Sequence, residues 1–100
     1  MFTYLTKLYQ LGALPVIRPG VTVKVAFGPA SAASAVVGAG IVRLVATADC
    51  HVVFGTTPTA DATCLFLPGN VPEYFACSTG DQVGVIQDSS AGNLYITPAI

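Results

Sequence analysis

The stretch IVRLVATADCHVVFG, residues 41–55, joins two runs of β-favouring residues through a short connection. Residues 41–47 and 50–55 are rich in β-branched side chains, and alternate residues of a strand point to opposite faces. Both faces of the first run are largely apolar, as in a strand that is covered on two sides. Because the Ala48-Asp49 connection is short, we expect the two runs to pair as a β-hairpin.

The same pattern of strands and turns continues on both sides of this stretch. Residues 30–40 are rich in Ala and Ser, and we expect a flexible loop there or a short strand around Val36 and Val37. About seven short strands with turn signals between them predict an all-β fold, an antiparallel β-sandwich of jelly-roll-like or immunoglobulin-like character. The other β-favouring runs are residues 21–27, 64–67, 72–78, 82–87 and 94–97.

The length of 100 residues allows one domain, and the first twenty residues differ from the rest. We expect residues 1–20 to form an N-terminal arm or a short helix, and residues 21–100 to form the β-sandwich domain. Pro15 and the Pro19-Gly20 pair separate the two parts. The arm has more large apolar side chains than a solvated tail should expose, and they are candidate interface residues. They are Phe2, Tyr4, Leu5, Leu8, Tyr9, Leu11 and Leu14.

The composition indicates a surface that is covered by a partner. Hydrophobic residues make up 53% of the chain, and only 9% of its residues are charged. A domain of this size buries well under three quarters of the surface of its unfolded chain, so its core cannot hold all the apolar side chains. Tyr74 and Tyr95 are two further candidate interface residues, because tyrosine combines an apolar ring with a polar tip.

The composition argues against two classes of partner, nucleic acid and membrane. Four Lys or Arg residues against five Asp or Glu give a net charge of -1, so no basic stripe is available for nucleic acid. Residues 25–42 are uncharged, but Pro29 and several Gly and Ser residues interrupt them, and we expect no membrane span.

Glu73 begins an apolar strand, and we expect it either to be solvated or to pair with Arg43.

The residues that carry catalytic or metal chemistry are sparse. His51 is the only histidine, and no nucleophile motif accompanies it, so we predict a strand histidine that serves as a hydrogen-bond partner or faces solvent or a subunit. Cys50, Cys64 and Cys77 show no metal-ligand spacing and are expected to be reduced structural thiols. Gly84 lies inside a predicted strand and indicates a bulge or the close approach of another backbone. We therefore expect no enzyme activity, no cofactor and no metal.

The order of strands and turns from Val42 to Thr97 resembles small virion proteins of tailed bacteriophages. The resemblance is carried by VRLVATADCHVVFG, PTADAT, FLPGNVPEYF and GDQVGVIQDSSAGNLYIT, which together cover a little over half of the chain. It implies an all-β structural module of the phage particle, and some similar proteins decorate or cement the capsid. The first twenty residues depart from the pattern.

These observations together predict a bacteriophage structural protein, most specifically a capsid decoration or cement subunit. We expect it to stabilise the head through apolar contacts, as a homotrimer or another homo-oligomer, with its arm reaching the major capsid protein. Its location would be the virion, assembled in the host cytoplasm. Two alternatives remain open, namely a tail, neck or head-fibre component and a carbohydrate-binding β-sandwich module that uses the loops TTPTADAT and DSSAGN.

Overall fold

The computed structural model describes residues 16–38 and 40–100, and every regular element in these two ranges is a β-strand. The strands are two to seven residues long, and several end at or next to a Gly, Pro or Asp residue. The eight strands are β1 (Val23–Phe27), β2 (Ala32–Ala33), β3 (Gly40–Ala46), β4 (Cys50–Gly55), β5 (Leu65–Leu67), β6 (Glu73–Cys77), β7 (Gln82–Gln87) and β8 (Gly92–Pro98).

The strands form two packed antiparallel sheets with four strands each. The order is β1-β8-β3-β6 in the first sheet and β2-β7-β4-β5 in the second sheet. The pairs β1–β8, β2–β7, β3–β6 and β4–β5 are those of one long hairpin that has been rolled up. This is the jelly-roll arrangement. The predicted antiparallel sandwich is confirmed, and its strand order is that of a jelly roll rather than of an immunoglobulin domain.

The core lies between the two sheets and is built from alternate residues of the inner strands. Each strand turns every second side chain inward, so both sheets contribute to one apolar layer. Burial of a Leu, Ile or Val side chain contributes about 1.5–3 kcal/mol relative to leaving it exposed. The most fully buried side chains are Val42, Leu44, Leu94 and Ile96 from the first sheet and Cys50, Leu67, Val83 and Val85 from the second.

The hairpin expected within residues 41–55 is wrong. Strand β3 pairs with β8 and β6, whereas β4 pairs with β7 and β5, so the two runs lie in opposite sheets. The backbone explains the difference, because tight two-residue hairpin turns need residues with positive φ, and neither Ala48 nor Asp49 has one. The connection instead crosses from one sheet to the other, which turns Leu44 and Cys50 toward the same interior.

The Ala/Ser-rich segment also differs from the expectation. Its strand is β2, at Ala32–Ala33, which precedes the predicted position at Val36 and Val37. Ser34 fixes this register, because its backbone N–H donates to the carbonyl of Val83 over 2.9 Å and its Oγ accepts the N–H of Val83 over 2.9 Å. After β2, the side chain of Val37 points into the core between the two sheets.

The end of the predicted arm is tied to the last strand. Gly20 N–H donates to the carbonyl of Pro98 over 2.7 Å, and Ile100 N–H donates to the carbonyl of Arg18 over 2.8 Å. A Cβ atom on Gly20 would lie 2.9 Å from Cγ2 of Ile100 and 3.1 Å from the carbonyl oxygen of Pro98, so a larger residue at this position would require the end of the chain to shift. The arm residues Phe2, Tyr4, Leu5, Leu8, Tyr9, Leu11 and Leu14 lie outside the described residues.

Candidate functional site

The two sheets of the sandwich differ in what lies on their outer faces. The outer face of the second sheet is partly covered by the chain itself, through the loop of residues 56–64, and Phe66 of β5 stays 45% exposed beside it. Pro58 sits directly over Gly84 of β7, where an added Cβ atom would lie 3.1 Å from Pro58 Cβ and 3.2 Å from the Pro58 carbonyl oxygen. This confirms the prediction that Gly84 marks the close approach of another backbone.

One hydrogen bond ties the covering loop to Ser31, and two more order the loop internally. The N–H of Ala60 donates to Oγ of Ser31 over 2.8 Å, and only 3% of Ala60 is exposed. Within the loop, the carboxylate of Asp61 accepts the backbone N–H and the hydroxyl of Thr63. These two hydrogen bonds to the charged form lower the pKa of Asp61 below its usual value. The polar loop predicted from TTPTADAT therefore packs against the outer side of its own sheet.

His51 lies under the end of this loop, on the outer side of β4. Its Nδ1 atom is 3.1 Å from the carbonyl oxygen of Cys64, and its Nε2 atom is 2.9 Å from Oδ1 of Asp88. The ring meets Phe66 edge to face at a centroid distance of 5.6 Å. Only 8% of His51 is exposed. Of the roles expected for a strand histidine, the structure shows that of a buried hydrogen-bond partner.

The three cysteines are free thiols. Cys64 contacts the His51 ring through its backbone carbonyl, and its thiol turns toward Asp61 instead. Cys50 points into the core, away from the outward-facing His51, as expected for adjacent residues of a strand. Burial, helped by the neighbouring charge of Asp49, raises the pKa of Cys50 to about 11. Burial likewise raises the pKa of Cys77, with a smaller contribution from Asp81. Both shifts favour the neutral thiol, which is the poor nucleophile of the two protonation states.

The outer face of the first sheet carries the two tyrosines that the sequence singled out. Tyr95 of β8 lies between Lys24 of β1 and Val45 of β3. Tyr74 of β6 lies opposite Arg43 of β3, which is followed across the sheet by Thr97 of β8. We call this surface the tyrosine face, and it consists of Lys24, Ile41, Arg43, Val45, Tyr74, Ala76, Tyr95 and Thr97.

The tyrosine face combines apolar and cationic groups. Its centre, from Ile41 to Val45, is partly buried by neighbouring side chains, whereas Tyr74 is 40% exposed. Lys24 and Arg43 supply two of the four Lys and Arg residues of the chain, and no carboxylate belongs to the face. Tyrosine and arginine are the side chains that contribute most often to binding energy at protein interfaces, which makes this surface the candidate binding site.

Of the two alternatives for Glu73, solvation or a pair with Arg43, the pair is wrong. Glu73 lies opposite Leu44, whereas Arg43 lies opposite Tyr74, so the two charged side chains are on different faces of the sheet. Among the described residues, the close ion pair is His51–Asp88. Arg43 therefore lies on the tyrosine face, and Glu73 lies on the side of β6 that faces the second sheet.

The structure brings together only part of the predicted interface. Tyr74 and Tyr95 flank β3 on one face, and the prediction that they form an interface stays a prediction. The sequence alone did not single out Lys24, Ile41, Arg43 or Val45 as interface residues. The alternation of Ile41, Arg43 and Val45 was the available signal, since all three share one face of their strand.

The described ranges contain no pocket and no cluster of three or more His, Cys, Asp or Glu side chains that could hold a metal ion. No helix in residues 16–38 and 40–100 is long and apolar enough to cross a membrane. Comparison of the chain with protein families, with curated proteins and with solved structures gives no match.

Proposed function

We propose that this protein is a structural subunit of a bacteriophage virion, a capsid decoration or cement module that assembles through its tyrosine face. The observation that carries the proposal is the contrast between the two outer faces. The loop of residues 56–64 packs on the second sheet, with Pro58 over Gly84, whereas Lys24, Tyr74 and Ala76 of the tyrosine face are exposed. The jelly roll supports the proposal because it is a frequent architecture of viral capsid domains.

The charges of the face favour one way of meeting a second copy. Stacking two tyrosine faces against each other would bring Arg43 and Lys24 of both copies together without any carboxylate. Glu73 begins β6, and the other four carboxylates of the chain lie on turns and loops. Two of them are Asp49 and Asp88, whose turns are joined by the bond from Asp88 N–H to the Asp49 carbonyl over 3.1 Å. A head-to-tail contact between the face and such a turn is complementary in charge, and head-to-tail contacts that close form rings. The proposed homotrimer is such a ring.

The size of the face explains why the arm is part of the proposal. Four strands at their usual spacing, with five to seven residues each, give a footprint of roughly 400 Å². A stable protein interface buries about 800 Å² on each partner. The face alone therefore supports only a weak contact. The seven large apolar residues between Phe2 and Leu14 supply the additional area, and we propose that they bind the major capsid protein.

The subunit contact is tested by size-exclusion chromatography with light scattering on the full chain. We expect the wild-type chain to form an oligomer whose fraction rises with protein concentration, as a weak contact requires, and the double substitution Arg43→Glu with Tyr74→Ser to remain a folded monomer throughout. The matched control is Leu65→Ser, which removes an apolar side chain of 50% exposure on β5, outside the face. The control is expected to remain an oligomer. A monomeric wild-type chain, or a face variant that still assembles, would contradict the proposed contact.

The virion location is tested on purified particles from a culture that produces the chain, by quantitative mass spectrometry of separated heads and tails. We expect the chain in the head fraction, and we expect a variant without residues 1–15 to be lost from it. This truncation keeps the bond between Ile100 and Arg18 that ties the end of the arm to the sandwich. Presence in the tail fraction would favour the alternative of a tail or neck component, and absence from both fractions would refute a virion role.

A further inference from the structure

The two hydrogen bonds of His51 determine the protonation state of its ring. Nδ1 faces the carbonyl oxygen of Cys64, and Nε2 faces a carboxylate oxygen of Asp88. Both partners are acceptors only, so each ring nitrogen must carry a hydrogen to make its bond. A neutral imidazole has a single N–H, and only the imidazolium ion has two. The observed geometry is therefore complete only when His51 is protonated.

His51 joins three parts of the sandwich that are distant in sequence. The ring stands on β4, Cys64 ends the loop of residues 56–64, and Asp88 follows β7 on the turn that leads to β8. The neighbouring residues on the paired strands are Phe66 of β5 and Ile86 of β7, neither of which titrates. The protonated ring thus holds the covering loop and the β7–β8 turn together on the outer side of the second sheet.

We propose that His51 is a proton-controlled clasp that closes the loop of residues 56–64 onto the second sheet when its imidazole is charged and loosens the loop when the ring becomes neutral. On deprotonation the ring keeps one N–H. The bond to the charged Asp88 is the stronger of the two because its acceptor is ionised. The bond to the Cys64 carbonyl is therefore the one that is lost, and the loop is released at its Cys64 end.

The charged and titratable groups around the ring favour the closed state. The hydrogen bond to Asp88 contributes most to raising the pKa of His51 above its ordinary value of 6.5, the bond to the Cys64 carbonyl raises it further, and the charge of Asp61 adds to both. Burial of the ring lowers the pKa, and its effect is smaller than that of either hydrogen bond but larger than that of the Asp61 charge. The thiol of Cys64 turns toward Asp61, at a distance of 3.7 Å from Oδ1, and Cys50 faces the core.

The sign of the pH dependence follows from the raised pKa. The folded state binds the proton more tightly than the unfolded chain does, so the clasp contributes its full stabilisation below the unfolded pKa, near 6.5. That stabilisation is lost as the pH rises through the higher pKa of the folded state. The protein is therefore expected to hold its covering loop more firmly in mild acid than in mild alkali.

The first test is a titration of the full chain followed by NMR. Because His51 is the only histidine, its imidazole gives a single assignable set of ring signals. We expect a titration midpoint above 6.5 in the wild-type chain and a lower midpoint in Asp88→Asn. The matched control is Asp81→Asn, which changes a carboxylate on the β6–β7 turn and is expected to leave the midpoint unchanged. A wild-type midpoint at or below 6.5, or one that Asp88→Asn does not lower, would overturn the proposal.

The second test reports on the loop itself and uses amide hydrogen exchange corrected for the intrinsic effect of pH. The amides of Ala60 and Cys64 are expected to lose protection between about pH 5.5 and about pH 8.5, a range that spans the titration of a histidine. Amides in the centre of β7 are expected to keep theirs. In Asp88→Asn, whose exposed side chain can be replaced without disturbing the core, the change in protection should shift to lower pH. Equal loop protection at both ends of this range in the wild-type chain would refute the clasp.

Discussion

Replacement of Gly84 by alanine probes the covering of the second sheet most sharply. The new methyl group would lie 3.1 Å from Pro58 Cβ, 3.2 Å from the Pro58 carbonyl oxygen and 3.2 Å from Cγ1 of Val53. Carbon atoms in good contact are about 3.5–4.0 Å apart, so the loop must move outward by about half an ångström. Added volume in a well-packed site costs about 1–3 kcal/mol. The smaller entropy of alanine in the unfolded chain offsets about 0.4–1 kcal/mol of this cost.

The net expectation for Gly84→Ala is a loss of about 1–2 kcal/mol in the free energy of unfolding. In a domain of this size, each kcal/mol lowers Tm by about 4–8 °C. Circular dichroism during heating and urea titration measures both quantities. The matched control is Gly28→Ala, because no atom lies within 4 Å of the position of its added Cβ. We expect the control to be as stable as the wild-type chain or slightly more stable. A Gly84→Ala chain as stable as Gly28→Ala would refute the close packing of the loop on the sheet.

Two further predictions concern the core between the sheets. Leu44→Ala removes a side chain with 0% exposure. We expect it to lower the free energy of unfolding, measured by urea titration, by about 2–5 kcal/mol. A loss well below about 1 kcal/mol would contradict the central position of Leu44. Cys50 is expected to react with a maleimide at about pH 8 only as the chain unfolds, because burial keeps its thiol neutral. Mass spectrometry of the labelled peptides checks this, and labelling as fast as that of a free cysteine would be inconsistent with the packing.

Local sequence signals predict the strands well because they depend on neighbouring residues. Alternation and turn residues place β1, β3, β4 and β6 to β8 close to their observed bounds. They cannot show which sheet a strand joins, because that choice depends on pairing between residues far apart in the chain. Strand β8 is the clearest case, since it inserts between β1 and β3. The hairpin predicted for residues 41–55 failed for this reason.

The candidate site was predictable only in part, for the same physical reason. The apolar ring and polar tip of tyrosine were enough to make Tyr74 and Tyr95 candidates from the sequence. The alternation in β3 also places Arg43 and Val45 on one side of their strand. That these residues share one surface follows from the pairing of β3 with both β6 and β8. The clasp at His51 was beyond sequence reasoning, because Asp88 is 37 residues away along the chain.

The central claim is that the tyrosine face is the surface by which this chain assembles in a virion. A reconstruction of the purified particle by electron cryomicroscopy tests it most directly, since it shows both the position of the chain and the surface that it buries. We predict density for the jelly roll on the head, with Tyr74, Tyr95 and Arg43 buried against a neighbouring copy. A particle in which these three side chains face solvent, or a head without this chain, would contradict the account.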